Sequence, residues 1–250
     1  MVEHFTVAFY YQKLDFATSI ALKTLGLDPE DPDTPRMSRC VTQFSHELVA
    51  GDIYRIETVQ LGHNRLGHRL YNAATNTICT HFDQFFTKHL GDASIEHDSD
   101  WDGPDLKDEP KSTNTDNWLL SGRDLALEKD LDRAGNFTGH ACILRFSAAG
   151  EHLRNHIGMT PTYMRENRIG FSTFSFDFKR YDRVKTGVPL TTESTITQMG
   201  RTSMQILHRL TTATGHTVAE LQQTGVHLDK DRRRPSPFPD VVRDLARCMI

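Results

Sequence analysis

The chain contains one stretch twice, as FTVAFYYQKLDFATSIALKTLGL at Phe5–Leu27 and as FTGHACILRFSAAGEHLRNHIGM at Phe137–Met159. The two copies lie 132 positions apart and align without a gap. Few residues are identical, but the apolar positions agree, and each copy keeps a glycine at the same place, Gly26 or Gly158. Because self-similarity at a fixed offset is typical of a repeated structural unit, this stretch indicates a duplication within the 250-residue chain.

In each copy the apolar side chains recur at spacings of three and four residues, which predicts one buried face of a helix of about five turns. Gly26 or Gly158 ends the helix, since glycine readily adopts the conformation that follows a last helical turn. The predicted buried positions are Tyr11, Leu14, Ala17, Ala21 and Leu25 in the first copy and Ile143, Phe146, Ala149, Leu153 and Ile157 in the second.

After each helix the apolar period changes to two, which predicts β-strands. FSTFSFDFKRY alternates Phe174, Phe176 and Phe178 with more polar residues, and we interpret the three rings as core. Two-stranded segments with turns at Asn72–Asn76 and Thr212–Gly215 follow in the two halves. Each half therefore predicts a helix followed by about four antiparallel strands, with an extra strand before the second helix in NWLLSGRDLALEKDL.

The expected fold class is α+β, with two units that each wrap a bent antiparallel sheet around a long helix and join their sheets edge to edge. The segment GDASIEHDSDWDGPDLKDEPKSTNTDN is acidic, polar and almost free of aliphatic residues, which is typical of a linker. The predicted organisation is a first unit at 1–90 without its first strand, a linker at 91–117, a second unit at 118–230 and a tail at 231–250.

The composition and short motifs argue against several classes of function. A formal net charge of -4 gives no indication of a nucleic-acid partner, and no apolar run approaches the roughly 20 residues that cross a membrane. The first residues lack the pattern of a signal peptide, and the four cysteines form no CxxC pair, so we expect reduced thiols in a cytoplasmic protein. His152 and His156 have the spacing of metal ligands, but no third ligand is evident, so no metal site is expected.

A short motif precedes the second helix. In DRAGNFTGHACILRFSAA, Asp132 and Gly135 match the D-x-x-G of a D-x-x-G-H-x-N segment, with Asn136 at the place of the His and Thr138 at the place of the Asn. With its helix and strand order, the chain resembles a fused double-hotdog protein of the 4-hydroxybenzoyl-CoA thioesterase-like group. In the first half His4 and Thr6 take the corresponding places, without the preceding Asp.

The resemblance implies hydrolysis of an acyl-CoA thioester. A thiol has a pKa of about 8.5 and leaves with little acid help, so one ionised Asp is enough to attack the carbonyl or to activate water. By this resemblance Asp132 is the nucleophile or general base, and the backbone N–H of Gly139 is the oxyanion donor, a type of contact worth roughly 3–4 kcal/mol. Asn136 and Thr138 would orient the Asp or the water, and Gly135 would permit the turn that aims Asp132.

The acyl chain is expected between the two halves, alongside the first helix near His4, Thr6 and Tyr10. Coenzyme A would arrive as part of a small-molecule substrate, with no other cofactor, and further pairing into a homo-oligomer stays open. Two other functions also stay open: a hotdog enoyl-CoA hydratase or dehydratase, and a non-catalytic acyl-thioester-binding scaffold. A third interpretation concerns Asp132 alone, since an Asp before a helix is commonly a capping or turn residue.

Overall fold

The computed structural model describes residues 6–91, 93, 95, 101–104, 117–181 and 183–250. Its two long helices are α1 (Val7–Thr24) and α2 (Gly139–His156), so both helices begin and end at positions separated by the 132-residue offset. Thr6 and Thr138 precede them in the same extended conformation, and Gly26 and Gly158 follow them with positive φ angles of 77° and 90°. The duplication therefore predicts both helices correctly.

Among the described residues, ten strands of different lengths form one antiparallel sheet. In chain order they are β1 (Met37–Phe44), β2 (Tyr54–Gly62), β3 (Arg65–Asn72), β4 (Thr77–Phe86), β5 (Leu119–Leu125), β6 (Ile169–Arg180), β7 (Pro189–Met199), β8 (Ser203–Thr212), β9 (Thr217–Asp229) and β10 (Arg234–Pro235). The order across the sheet is β2-β3-β4-β1-β6-β9-β8-β7-β5, and β10 pairs with β9. A short 3₁₀ helix at Glu128–Asp130 and two further helices, α3 (Pro161–Glu166) and α4 (Asp240–Arg247), complete the described elements.

The two halves join at the antiparallel pairing of β1 with β6. Gln43 lies opposite Ser175, and these two positions are also related by the 132-residue offset. A pair of equivalent residues facing each other marks the pseudo-twofold axis of the duplicated fold. This arrangement confirms the α+β architecture with two sheets joined edge to edge.

One apolar core continues across the join, because α1 and α2 pack against each other and against the central strands. Tyr11 on α1 is fully buried and lies edge-on to Phe82 of β4 and to Phe178 of β6, with ring centroids 5.8 and 5.7 Å apart. Its hydroxyl is 2.8 Å from that of Thr42 on β1, so the phenol is satisfied inside the core. Each half thus contributes side chains that the other half needs for burial.

The interpretation of Phe174 as core is wrong. Phe176 and Phe178 are buried, but Phe174 is 52% exposed. The pairing of β6 with β9 shifts register between Thr173 and Ser175, which is the geometry of a β-bulge. An extra residue at the bulge reverses the inward and outward alternation of side chains. The Phe174 ring therefore lies on the other side of the sheet from the rings of Phe176 and Phe178.

The last residues pack onto the second unit. Phe238, Val242, Ala246 and Met249 are buried with Ile196 of β7 in a second apolar cluster. Among the described residues no helix is long and apolar enough to cross a membrane.

Candidate active site

A cavity of about 390 Å³ lies between α1, the segment that leads into α2, and strands β1 and β4. Both halves of the chain line it, and the lining includes Asp132, Asn136 and Thr138 from the predicted motif. Asp15 of α1 and Arg180 of β6 also line it, although the sequence did not single them out. The fold therefore brings the predicted motif together with a second carboxylate and a buried cation.

Asp15 lies against the N-terminus of α2. One of its carboxylate oxygens accepts a hydrogen bond from the backbone N–H of His140 at 3.1 Å, and the neighbouring backbone N–H of Gly139 also lowers the pKa of the carboxyl group. The first N–H groups of a helix have no partners within the helix and carry partial positive charge, so they attract an anion. The α2 N-terminus is thus an anion-binding position, and in the free protein the carboxylate of Asp15 occupies it.

Gly139 permits this close approach. A Cβ atom at this position would lie 3.1 Å from a ring carbon of Tyr11 and 3.2 Å from a carboxylate oxygen of Asp15. Such distances are shorter than most Cβ contacts, so a side chain at this position would require Tyr11 and Asp15 to shift by a few tenths of an ångström. The lack of a side chain at Gly139 therefore leaves room for Asp15 beside the backbone N–H groups.

The environment of Asp15 favours its neutral form more than water does. Burial raises the pKa of Asp15 from 3.8 to about 6, against the opposing effects of the His140 N–H, of Arg180 and of the Gly139 N–H. The guanidinium of Arg180 is itself buried and donates to the carbonyl oxygens of Phe137 at 2.7 Å and Met37 at 3.1 Å. A carboxylate with a pKa of about 6 is still mostly ionised at pH 7 and is a stronger base than an ordinary Asp.

Asp132 forms the turn before α2. Its carboxylate accepts from the backbone N–H of Asn136 at 2.7 Å and from the Asn136 side-chain amide at 3.0 Å, while its own carbonyl accepts from the N–H of Gly135. Gly135 has a φ of 78°, as a tight turn requires. Asp132 is exposed at the cavity, so it combines the turn role with a position from which a bound ligand can be reached.

The other motif residues also hold the helix start. The Thr138 hydroxyl accepts from the N–H of Ala141 at 3.1 Å, which is an N-cap contact. Asn136 is buried, and its side-chain oxygen accepts from the guanidinium of Arg183 at 3.0 Å. Both side chains are therefore fixed by the fold next to Asp132.

The predicted acyl-binding residues lie elsewhere or cannot be described. His4 lies outside the described residues. Thr6 is the exposed residue before α1, and Tyr10 is buried, with its hydroxyl accepting from the N–H of Leu48 at 2.9 Å. Neither Thr6 nor Tyr10 lines the cavity around Asp15. The described wall of that cavity instead takes its apolar side chains from α1 and the adjoining strands, such as Leu22, Met37 and Phe86.

A buried polar chain backs the cavity wall. Thr18, one turn after Asp15 on α1, hydrogen-bonds the side-chain amide of Gln84 at 2.9 Å, and that amide contacts Nε2 of His68 at 2.9 Å. The other ring nitrogen of His68 is 2.8 Å from the hydroxyl of Thr58. Burial lowers the pKa of His68 to about 4, so the ring is neutral at pH 7 and fixes the orientation of Gln84 without adding charge.

Within the part of the chain that the structure describes, no group of three or more His, Cys, Asp or Glu side chains is arranged to hold a metal ion. His152 and His156 both lie on the exposed side of α2. Cys40, Cys79 and Cys142 are buried free thiols, and Cys248 is an exposed one.

Two helix-and-sheet units joined edge to edge, with their helices packed together, define a double-hotdog protein. Residues 127–245 match the family model of the thioesterase-like superfamily. This match covers most of the second half of the chain and agrees with the resemblance predicted from the sequence. No curated protein matches the chain in sequence.

Solved structures of other proteins have a fold similar to that of this chain. A Lactobacillus plantarum protein assigned as an oleoyl thioesterase has a TM-score of 0.62 at 9% identity, with 94% of this chain and 91% of that chain covered. The 12:0-ACP thioesterase from Umbellularia californica has a TM-score of 0.57 at 13% identity, with 90% and 88% covered. A Staphylococcus aureus protein solved in complex with CoA has a TM-score of 0.50 at 12% identity, with 55% and 87% covered. Because the first two matches extend over nearly the whole chain, both halves have the hotdog fold.

Proposed function

We propose that this protein hydrolyses an acyl-CoA thioester to the free acid and coenzyme A. The observation that carries the proposal is the carboxylate of Asp15 held against the first N–H groups of α2 inside a cavity. A thioester carbonyl that enters this cavity meets an amide donor for its oxygen and a base for the attacking water at the same point. The thioesterases with similar folds support the choice of substrate class.

In the proposed reaction the carbonyl oxygen of the thioester accepts a hydrogen bond from the N–H of Gly139. Asp15 keeps its contact with the N–H of His140 and accepts a proton from water as that water attacks the carbonyl carbon. The negative charge that develops on the carbonyl oxygen is stabilised by the α2 N-terminus. The C–S bond then breaks, the thiolate leaves and takes up a proton, and no cofactor is needed. Direct attack by Asp15 on the same carbon, followed by hydrolysis of the anhydride, gives the same products.

In this proposal Asp132 is a further carboxylate that lines the cavity beside Asp15. The resemblance assigns the nucleophile or base to Asp132, whereas the contact with the α2 amides belongs to Asp15. The hydrogen bonds from Asn136 hold Asp132 in a turn and reduce its freedom to move toward a substrate. We therefore propose Asp15 as the base and Asp132 as a residue that shapes the cavity entrance together with Asn136.

The pH dependence of hydrolysis follows from the pKa of Asp15. Because the base must be ionised and its pKa is about 6, we expect kcat/KM to be constant above pH 7 and to fall about tenfold for each pH unit below 6. The measurement is initial rates of thiol release between pH 3 and pH 9 at constant ionic strength. A midpoint near 3.9, the ordinary value for Asp, would assign the step to another carboxylate.

The proposed activity is tested by incubating the purified chain with a panel of acyl-CoA esters and measuring free thiol. Release of thiol together with the free acid, above the rate in buffer, supports hydrolysis. Hydration of an enoyl-CoA double bond without thiol release would support the hydratase alternative instead. Saturable binding of acyl-CoA without any reaction would support the scaffold alternative and contradict the proposal.

A further inference from the structure

A second cavity, of about 700 Å³, lies beside the C-terminal half of α2 and the short helix α3. It is the pseudo-symmetric counterpart of the candidate active site, because many of its lining positions follow those of the first cavity by 132 residues. Leu22 and Arg36 line the first cavity, and their counterparts Arg154 and Arg168 line the second. The duplication therefore produced two cavities, whose chemistry now differs.

The second copy has no carboxylate at the position of Asp15. The counterpart of Asp15 is Ser147, whose hydroxyl donates to the carbonyl of Ile143 one turn earlier in α2 at 2.8 Å. A hydroxyl engaged with its own helix is not a general base. The second cavity is thus not equipped for the hydrolysis proposed at the first.

The second cavity has a guanidinium, Arg154, where the first copy has the apolar Leu22. The counterpart of Thr18 is Gly150, and a Cβ atom at Gly150 would lie only 3.2 Å from Nη1 of Arg154. The absence of a side chain at Gly150 thus makes room for Arg154, which lies with its guanidinium carbon 5.1 Å from the centroid of the Phe171 ring. Arg154 is only partly exposed there.

Most of the positive charge in this cavity has no ion-pair partner. Among the described residues, the side chains of Arg154, Arg165 and Lys230 form no hydrogen bond or ion pair, whereas Arg168 pairs with Asp231 at the surface at 3.0 Å. The one acid among the described lining residues is Glu151, which is exposed. Desolvation lowers the pKa of Arg154, and Glu151 opposes this effect only through its charge. A partly buried guanidinium with two unpaired cationic neighbours is a site for an anion with more than one charge.

We infer that the second cavity is a non-catalytic binding site for a phosphate-bearing small molecule, held by Arg154 with Arg165 and Lys230. A guanidinium presents paired donors that match phosphate oxygens, and the further cations favour phosphate over a single carboxylate. This inference rests on the duplicated cavity and its charges, and it does not depend on the proposed hydrolysis.

The test is isothermal titration calorimetry of the full chain with inorganic pyrophosphate at low ionic strength. We expect one saturable site in the natural chain and at least tenfold weaker binding in Arg154→Leu, the residue that the first copy carries at this position. Gly150→Thr likewise introduces the first copy's residue, keeps the charge of Arg154 and should weaken binding by displacing its guanidinium. Arg247→Leu, an exposed arginine on α4 paired with Asp244, is the matched control and should bind as the natural chain does.

Thermal unfolding without ligand shows whether each variant is folded, so a loss of binding is separated from a loss of structure. Titration with citrate, which carries carboxylates instead of phosphates, distinguishes the two anion classes. Equal affinity for citrate and pyrophosphate would overturn the phosphate assignment. The absence of saturable binding to the natural chain, or unchanged binding in Arg154→Leu, would overturn the site.

Discussion

Asp15→Asn will lower kcat for thiol release by at least about a hundredfold, because removal of a positioned general base typically costs a factor of 10² to 10⁴. Asn has nearly the shape of Asp and its oxygen still accepts from the N–H of His140, so the α2 N-terminus keeps a partner. KM should change much less than kcat, since the substrate's contact with the N–H of Gly139 does not need the negative charge. Steady-state kinetics with the best ester of the panel measures both constants.

The same substitution should stabilise the fold at neutral pH. The folded-state pKa of Asp15, about 6, lies above its ordinary value, so the stability associated with its neutral form is present at low pH and is lost as the pH rises through 6. Asn is neutral at every pH and does not suffer this loss. Denaturant unfolding at pH 5 and at pH 8 should therefore show a larger gain for Asp15→Asn at pH 8. A carboxylate kept ionised at the expense of stability is typical of a functional site.

Two matched variants make this prediction specific. Asp132→Asn should retain far more activity than Asp15→Asn, since Asp132 is assigned to the turn and the cavity entrance. Asp244→Asn, on an exposed face of α4, makes the same chemical change away from the cavity and should leave kcat unchanged. A large loss in Asp132→Asn with full activity in Asp15→Asn would reassign the base to Asp132.

Phe178→Ala will lower the free energy of unfolding by about 3–5 kcal/mol, the usual cost of truncating a fully buried Phe. Phe178 lies where the two halves join, opposite Cys40 of β1, with its ring centroid 5.7 Å from that of Tyr11 and 6.5 Å from that of Phe146. A cavity at this point removes contacts from both long helices at once. Because domains are commonly stable by only about 5–15 kcal/mol, this variant should unfold at a much lower denaturant concentration.

Phe174→Ala is the control for this prediction. It removes the same atoms from the same strand, but the ring is exposed beyond the β-bulge, so the expected change is within about 0.5 kcal/mol. Urea unfolding followed by tryptophan fluorescence and by circular dichroism measures both variants. Equal losses from the two substitutions would contradict the assignment of Phe178 to the shared core.

The helices could be predicted from the sequence because the duplication preserves their apolar spacing. The offset that aligns Phe5 with Phe137 also relates the ends of α1 and α2, and glycines close both helices in the same way. The strands follow from the period of two, since most of them have one buried face. Phe174 departs from its pattern because a bulge depends on pairing with β9, which is distant in sequence.

Only part of the candidate active site could be predicted from the sequence. Asp132, Gly135 and Thr138 lie in one local segment, so their turn and cap roles can be expected from spacing. Asp15 comes to α2 only when the two halves pack, and its contact joins residues 125 positions apart. A comparison of the two copies could have singled out Asp15. The two copies share the pattern of buried positions, but Asp15 in the first copy corresponds to Ser147 in the second.

The central claim is that a thioester carbonyl binds the α2 N-terminus with Asp15 beside it. The most direct measurement is a crystal structure of the protein with a non-hydrolysable acyl-CoA analogue that keeps the carbonyl group. The account predicts the carbonyl oxygen within hydrogen-bond distance of the N–H of Gly139 and a carboxylate oxygen of Asp15 facing the carbonyl carbon. An analogue bound with its carbonyl away from the α2 N-terminus, or with the carboxylate of Asp15 bound to the N–H of Gly139 in place of the carbonyl oxygen, would contradict it.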